Sequence, residues 1–345
     1  MIRHQIESAA LFLDLIKTSI LMMCLRCLYV PKDKSSEDKS AILLPRNLVK
    51  KIESYGGIKQ GSGAKCQDTF TIMPNFAQNT HFFAVYDGAG PRGHEVAKKA
   101  ESVMREYLER SEKRLLSMKR DGDCQRFLRE AFKHVQESLE AMKLDYENTK
   151  SGACCTTMLI CGNTAHVANI GNCRTVLCTT KKDGSSRSID LSQDHTLDSL
   201  REKERCIRAG AKLSAGPPSA KAQILGPERI WFNEEGPGTI VTRMLGSNKN
   251  GVISVPEISS FEIQLTDRFV VLGSDGLWDV LRSREVCETV DLIREKKNAS
   301  EEIVSRARKV WENSYSNSEY RFVGDDISLK SPDDIAVVIV YLNQN

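Results

Sequence analysis

Two apolar runs in this chain end on aspartate and a third begins on it. Residues 81–87 read HFFAVYD, residues 268–275 read RFVVLGSD, and Asp333 with Asp334 precedes IAVVIV. Compact apolar runs bounded by aspartate or glycine are expected to be buried strands running into turns. A carboxylate at the end of such a strand is costly unless it is paired or holds a cation. Asp68, in CQDTF, borders a further short apolar run. Taken singly, each of these aspartates reads as a turn or cap residue. As a set of Asp68, Asp87, Asp275 and Asp333–Asp334, with glycine beside two of them, they suit hard divalent cations that prefer oxygen ligands.

The rest of the pattern alternates strand pairs with helix pairs. Apolar residues recur at helical spacing over 93–118 and 126–147, which predicts two amphipathic helices. Short strands are expected at 156–162, 164–170 and 175–180, with turns at Gly162-Asn163 and over 181–187. A short helix over 199–210 should stop at Gly210. Residues 261–265 and 268–275 read as another strand pair, 283–296 and 300–315 as helices, and 334–342 as a final strand. Hairpin-like succession with inserted helices implies an α+β fold of antiparallel sheets with helices on their faces. The Gly- and Pro-bearing insert 211–239 reads as a surface flap.

Composition narrows the functional classes. The 345 residues are 40% hydrophobic and 28% charged, an ordinary globular balance. The formal net charge of +3 gives no support for a nucleic-acid binder. The 11 cysteines are odd in number and scattered, which suits reduced thiols in a cytoplasmic or nuclear protein better than a disulfide scaffold. Cys24 and Cys27 form a lone CxxC with no second half to complete a zinc site. Residues 9–30 are apolar but carry Asp14, Lys17 and Arg26, which is expensive for a spanning helix. They read as an amphipathic helix on the domain, and the sharper alternative is a weak peripheral membrane contact. Residues 31–40 read as a polar linker, so 1–49 is taken as an extension and linker and 50–345 as one folded domain, expected to be a monomer.

The chain has no GxSxG, no Walker-type phosphate loop, no GxGxxG after a strand, and no histidines at metal-ligand spacing. The segments FFAVYDGAGPRGHEVA, SGACCTTMLI, AHVANIGNCRTVL, TRMLGS, VVLGSDGLWDVL and SPDDIAVVIVYL occur in an order that resembles the type 2C metal-dependent serine/threonine protein phosphatases, most closely a plant-like subgroup. The resemblance runs from about Tyr55 to Leu342. It implies a sandwich of two antiparallel β-sheets flanked by α-helices. It also implies two Mg²⁺ or Mn²⁺ ions per domain and hydrolysis of phosphoserine or phosphothreonine on a phosphoprotein by a metal-activated water. By motif, Asp87 would bridge both metals, Gly88 would offer its carbonyl, Asp275 and Asp333 would complete one shell, and Asp68 would act through water.

Several positions depart from the family pattern. Ala89 stands where the family has a histidine, the proton donor to the leaving oxygen, and a general acid is worth about 10²–10⁴-fold. The family's phosphate-gripping arginine falls near Gly63, in QGSGAKCQD, where Lys65 is the nearby cation and cannot reproduce a bidentate guanidinium. Asn172 and Ser247 replace acids, the first associated in the family with a weaker third metal. Gln67 and Asp334 are variants that the plant-like subgroup tolerates. Arg92 and His94, in GPRGHE, offer replacement phosphate or proton groups, against the plainer reading of a solvated helix start. Cys66 and Cys173 would make activity oxidation-sensitive if exposed with a lowered pKa. Trp278 reads as core. Three readings follow: a phosphatase of reduced rate, a pseudophosphatase that binds phosphoproteins, or a relic that only folds.

Overall fold

The computed structural model describes residues 51–118, 121–217, 227–232, 238–316 and 331–343. The expectations for residues 1–49, including the 9–30 segment and the Cys24–Cys27 pair, lie outside the described residues. No helix among the described residues is long and apolar enough to cross a membrane.

Two five-stranded antiparallel sheets carry the fold. One is ordered β1 (Lys51–Lys59), β13 (Ile335–Asn343), β12 (Asp267–Gly273), β6 (Arg174–Thr180), β7 (Ser186–Asp190). The other is ordered β11 (Glu257–Glu262), β5 (Thr164–Ile170), β4 (Gly152–Cys161), β3 (Thr80–Ala89), β2 (Asp68–Ala77). Side chains alternate across each strand, and both faces of the central strands are covered, so the strands read as unbroken apolar runs. On β3, Phe83 and Val85 enter the core between the sheets, while Phe82, Ala84 and Tyr86 face the helical layer. β13 divides likewise: Ala336, Val338, Val340 and Leu342 point between the sheets, and Ile335, Val337, Ile339 and Tyr341 point to the other helical layer.

Helices α1 (Gly93–Arg110) and α3 (Asp121–Ala141) cover the β2–β5 sheet, with Val96, Ala100, Met104, Phe127 and Phe132 among the buried contacts. The helix expected over 93–118 is broken at Ser111, after which α2 (Glu112–Ser117) begins. The one expected over 126–147 stops at Ala141, because Lys143 turns to a left-handed φ of 55° and the Leu144 N–H returns to the Leu139 carbonyl at 2.8 Å. A single turn, α4 (Tyr146–Thr149), follows, capped by Asp145. On the opposite face lie α6 (Asp275–Trp278), α7 (Ser283–Leu292) and α8 (Ala299–Ser316), so the helix expected over 283–296 ends early, at Leu292. Helix α5 (Leu200–Arg208) closes at Gly210, with φ +82°, as expected.

The expected pairing of 261–265 with 268–275 is wrong. β11 pairs with β5 and β12 with β13 and β6, so the chain crosses from one sheet to the other between them. Ile263 is buried in the core at the crossing, and Asp267 turns the chain by accepting the Gln264 N–H at 2.9 Å. Burying Ile263 and Val270 between the sheets outweighs the local hairpin. In the 211–239 insert, β8 (Lys212–Ser214), β9 (Arg229–Trp231) and β10 (Gly238–Thr239) form a small antiparallel sheet, and residues 218–226 and 233–237 lie outside the described residues.

A buried ion cluster ties α5 to the TRML segment. Glu202 accepts from Arg243 at 2.6 and 3.0 Å, from Arg205 at 2.7 Å and from Thr242 at 2.8 Å. Burial alone would raise this carboxyl, but the two guanidinium groups hold it well below the usual range. Phe83 tests the core between the sheets. Phe83→Ala should lower unfolding stability by about 3–5 kcal/mol, read as a shift of the urea midpoint with an unchanged slope.

Candidate metal centre

In an antiparallel sheet the end of one strand and the start of its neighbour share an edge. That rule gathers the aspartates. Asp68 opens β2 and faces Asp87 near the end of β3, as direct register partners. In the other sheet, Asp275 follows the end of β12, and Asp333–Asp334 precede β13, its neighbour. The Ser274 N–H donates to the Ala336 carbonyl at 3.0 Å and the Ala336 N–H to Ser274 Oγ at 2.9 Å, which pins these two segments together. Gly276 is required there: a Cβ would lie 2.0 Å from the Asp334 carbonyl oxygen.

The carboxyl groups feel one another. Burial, then the charges of Asp275 and Asp333, hold Asp68 well above its ordinary range, against a hydrogen bond from Ser274. Burial, then Asp275 and Asp68, do the same to Asp87. Asp275 is pushed up to about 6 by desolvation and by Asp279, while hydrogen bonds with Asp87 and Asn172 oppose the shift. Asp333 and Asp279 keep solvent-exposed surface, so their shifts are weaker than those of the buried Asp68: partial desolvation and then the Asp275 charge raise Asp333, and partial desolvation and then Asp333 and Asp194 raise Asp279, against the nearby Arg174. Like charges brought this close raise one another, and the Asp68–Asp87 register pairing places two of them side by side.

Among the described residues, no three Asp, Glu, His or Cys side chains form a closed metal-binding group. The donors nevertheless fit a hard divalent cation. They are carboxylate oxygens crowded by like charge, and Asp68 Oδ2 is buried without a hydrogen-bond partner. Asp334, by contrast, points away from such a role. Its carboxylate accepts the Gly61 and Gln67 N–H groups at 2.5 and 2.6 Å and staples the 60–67 loop to the start of β13.

A sequence profile of the family described as Protein phosphatase 2C matches residues 54–313. The chain belongs to this family. Its relatives include the probable protein phosphatase 2C 65 of Arabidopsis thaliana, 28% identical over 308 residues, covering 83% of this chain and 75% of the relative. Another is the probable protein phosphatase 2C 34 of the same plant, 29% identical over 287 residues, covering 78% and 77%. Among solved structures, a serine-threonine phosphatase 2C from Toxoplasma gondii matches with a TM-score of 0.67 at 17% identity, covering 84% of this chain and 94% of that one. A C. elegans sex determining protein matches with a TM-score of 0.66 at 22% identity, covering 85% and 65%. These two likenesses show the fold. Protein phosphatases 2C are metal-dependent serine/threonine phosphatases that act on phosphoproteins, and this chain is a plant-like member.

The departures from the 2C pattern take definite positions. Ala89 ends β3 opposite Gly152 with its methyl group exposed. Gly63 and Lys65 lie on the exposed rim, and Ser62 donates its N–H to the Pro332 carbonyl at 2.8 Å. Asn172 Nδ2 donates to Asp275 Oδ2 at 2.7 Å, so a neutral donor steadies the carboxylate where an acid would repel it. Ser247 is buried on the turn after the Ala153–Leu245 bridge, its hydroxyl without a partner. Gln67 donates Nε2–H to the Gly90 carbonyl at 3.0 Å. Trp278 is core, its indole N–H donating to the Gly273 carbonyl at 3.0 Å.

The two cysteines near the site do not meet the condition for oxidation sensitivity. Burial raises the Cys173 thiol well above its usual value, and it raises the half-buried Cys66 to about 11. Two residues of the site went unread in the sequence. Asp279 follows Asp275 by one helical turn, a readable spacing. Arg308 is buried on α8 and donates to the Gln60 carbonyl and, at 3.3 Å, to the Asp333 carbonyl. Its place among Val304, Ala307 and Trp311 on the buried face was visible in the helical pattern.

The raised carboxyl groups make stability depend on pH. Between about pH 4 and pH 7 the folded chain holds more protons than the unfolded one, so stability falls as pH rises through that window. Cations binding the ionised carboxylates should reverse the loss. In EDTA the melting temperature should drop between pH 5 and pH 8. Mn²⁺ should raise it more at pH 8 than at pH 5, and Asp333→Asn should flatten both trends. Differential scanning fluorimetry over the pH series checks this.

Proposed function

We propose that this chain is a working serine/threonine phosphatase of reduced rate, holding two Mg²⁺ or Mn²⁺ ions in a domain spanning residues 50–345. In this reading Asp87, the Gly88 carbonyl, Asp275 and Asp333 would hold the ions, with Asp87 shared between them and Asp68 acting through water. The observation that carries it is the convergence of Asp68, Asp87, Asp275 and Asp333 at one end of the sandwich: Asp68 faces Asp87 across the β2–β3 register, Asp87 hydrogen-bonds Asp275, and the Asp275 charge helps to raise Asp68, Asp87 and Asp333.

When bound, the cations supply Lewis-acid activation of water and neutralise phosphate charge. The protein's own residues orient and hold. Asn172 holds the Asp275 carboxylate by one amide hydrogen bond. Asp334 fixes the loop from Gly61 to Gln67, and the Gln67 carbonyl in turn accepts the Gly88 N–H at 3.2 Å. Ala89 has no proton to give, so the leaving serine or threonine oxygen departs without a general acid from that position.

The same methyl group favours a second reading, a phosphoprotein-binding module without useful turnover. The two differ in leaving-group dependence. An aryl phosphate needs little help to depart, whereas a phosphopeptide needs a proton. Mn²⁺-dependent hydrolysis of an aryl phosphate should exceed background and vanish in Asp87→Asn. Activity in neither protein, from folded samples at saturating Mn²⁺, would leave the binding module. Ala89→His should raise phosphopeptide turnover by about 10²-fold or more while changing aryl phosphate turnover little.

A further inference from the structure

We propose that Lys65, held in place by His94, is the phosphate-binding subsite of this chain and takes the phosphoryl oxygens of a phosphoserine or phosphothreonine side chain. The proposal rests on the phosphatase reading for its substrate class, and its test is separate.

A phosphate dianion approaching a group of aspartates needs cationic donors on its outer side. The exposed rim beside Gly88 offers three basic side chains: Lys65, Arg92 and His94. Arg92 is committed elsewhere, since its guanidinium grips Glu95 by two hydrogen bonds at 2.9 and 2.7 Å. That pairing offsets part of the Glu95 charge, whose Oε1 also lies 3.9 Å from His94 Nε2. Lys65 has no carboxylate within ion-pair reach among the described residues. Its ammonium instead meets the His94 ring, with Nζ 3.2 Å from Nε2.

Three close approaches bring this pair to the aspartates. A Cβ on Gly88 would lie 2.3 Å from the Gly93 carbonyl oxygen and 2.9 Å from the Gln67 carbonyl oxygen. A Cβ on Gly93 would lie 2.4 Å from Gln67 Oε1. His94 is therefore one residue beyond a segment pressed onto Gly88, and Lys65 is two residues before the other. Asp87 precedes Gly88 directly, so the backbone at Lys65 and at His94 lies within two residues of segments packed on the glycine beside Asp87.

The roles differ. Lys65 has three N–H donors, and His94 engages one as an acceptor, leaving two for phosphate oxygens. A lone lysine loses rotamer freedom when it binds an anion; one already anchored loses less. Lys65 is thus the binding residue and His94 a positioning residue, with most of its side chain shielded from solvent, at 16% exposure.

The test titrates inorganic phosphate, and in parallel a phosphoserine peptide, into the full chain with and without Mn²⁺, by calorimetry. Lys65→Ala should weaken phosphate binding by about tenfold or more, the scale of a charged hydrogen bond. His94→Ala should weaken it several-fold, and His94→Gln, which keeps an acceptor, should restore much of the loss, whereas a merely structural role would not be rescued. Melting temperature and Mn²⁺ binding should stay at wild-type values. In turnover, Lys65→Ala should raise KM for aryl phosphate more than it lowers kcat.

Wild-type phosphate binding in Lys65→Ala, or no phosphate binding by the wild-type chain in either condition, overturns the proposal. Normal turnover with an unchanged KM in Lys65→Ala overturns it and leaves the phosphatase reading standing. Phosphate binding that depends on Lys65, in a protein that never hydrolyses aryl phosphate, upholds the subsite and removes the enzyme reading.

Discussion

Carboxylates held against one another at the end of a sandwich repel, and the rest of this structure is arranged to keep them there. Four strands deliver Asp68, Asp87, Asp275 and Asp333 to one edge, and the raised pKa values of these groups record the cost. The opposing stability comes from the core between the sheets, from the two helical layers and from backbone pins such as the Ser274–Ala336 exchange. Folding energy gained in the apolar body therefore holds a polar end that is unfavourable by itself and that bound divalent cations would relieve.

The changes from the family pattern are unequal in kind. Asn172 replaces a charge with an amide that hydrogen-bonds Asp275, which relieves repulsion while keeping the carboxylate oriented. Ala89 removes a function and leaves only a methyl group at the rim. Lys65 and His94 meet each other nearby, next to segments packed on Gly88. In the proposed reading the site keeps carboxylate oxygens that would hold cations, lacks a proton donor at Ala89 and has Lys65 as a cation on its outer side. That combination would favour substrates whose leaving group departs easily.

Legibility followed burial. β3, β5 and β13 were plain in the sequence because apolar residues filled both faces, and the aspartates stood out because they ended such runs. β1, with GG in KIESYGGIK, and the short β8–β10 had no comparable pattern. The β11–β12 connection misled because two apolar runs separated by a short polar turn look like a hairpin from either side. Sheet membership depends on where Ile263 and Val270 are buried, and that depends on the whole core.

By itself the sequence determined the α+β class, the family and the aspartates to examine, because each is written in local pattern or contiguous motif. Tertiary structure alone decided that Arg92 is spent on Glu95, that Asp334 staples a loop, that Arg308 reaches the Gln60 and Asp333 carbonyls, and that Lys65 meets His94. The physical reason is that hydrogen bonds and charge pairs act over a few ångströms while their partners lie up to hundreds of residues apart. Which polar groups meet is set by how the apolar layers close, and no local pattern encodes that.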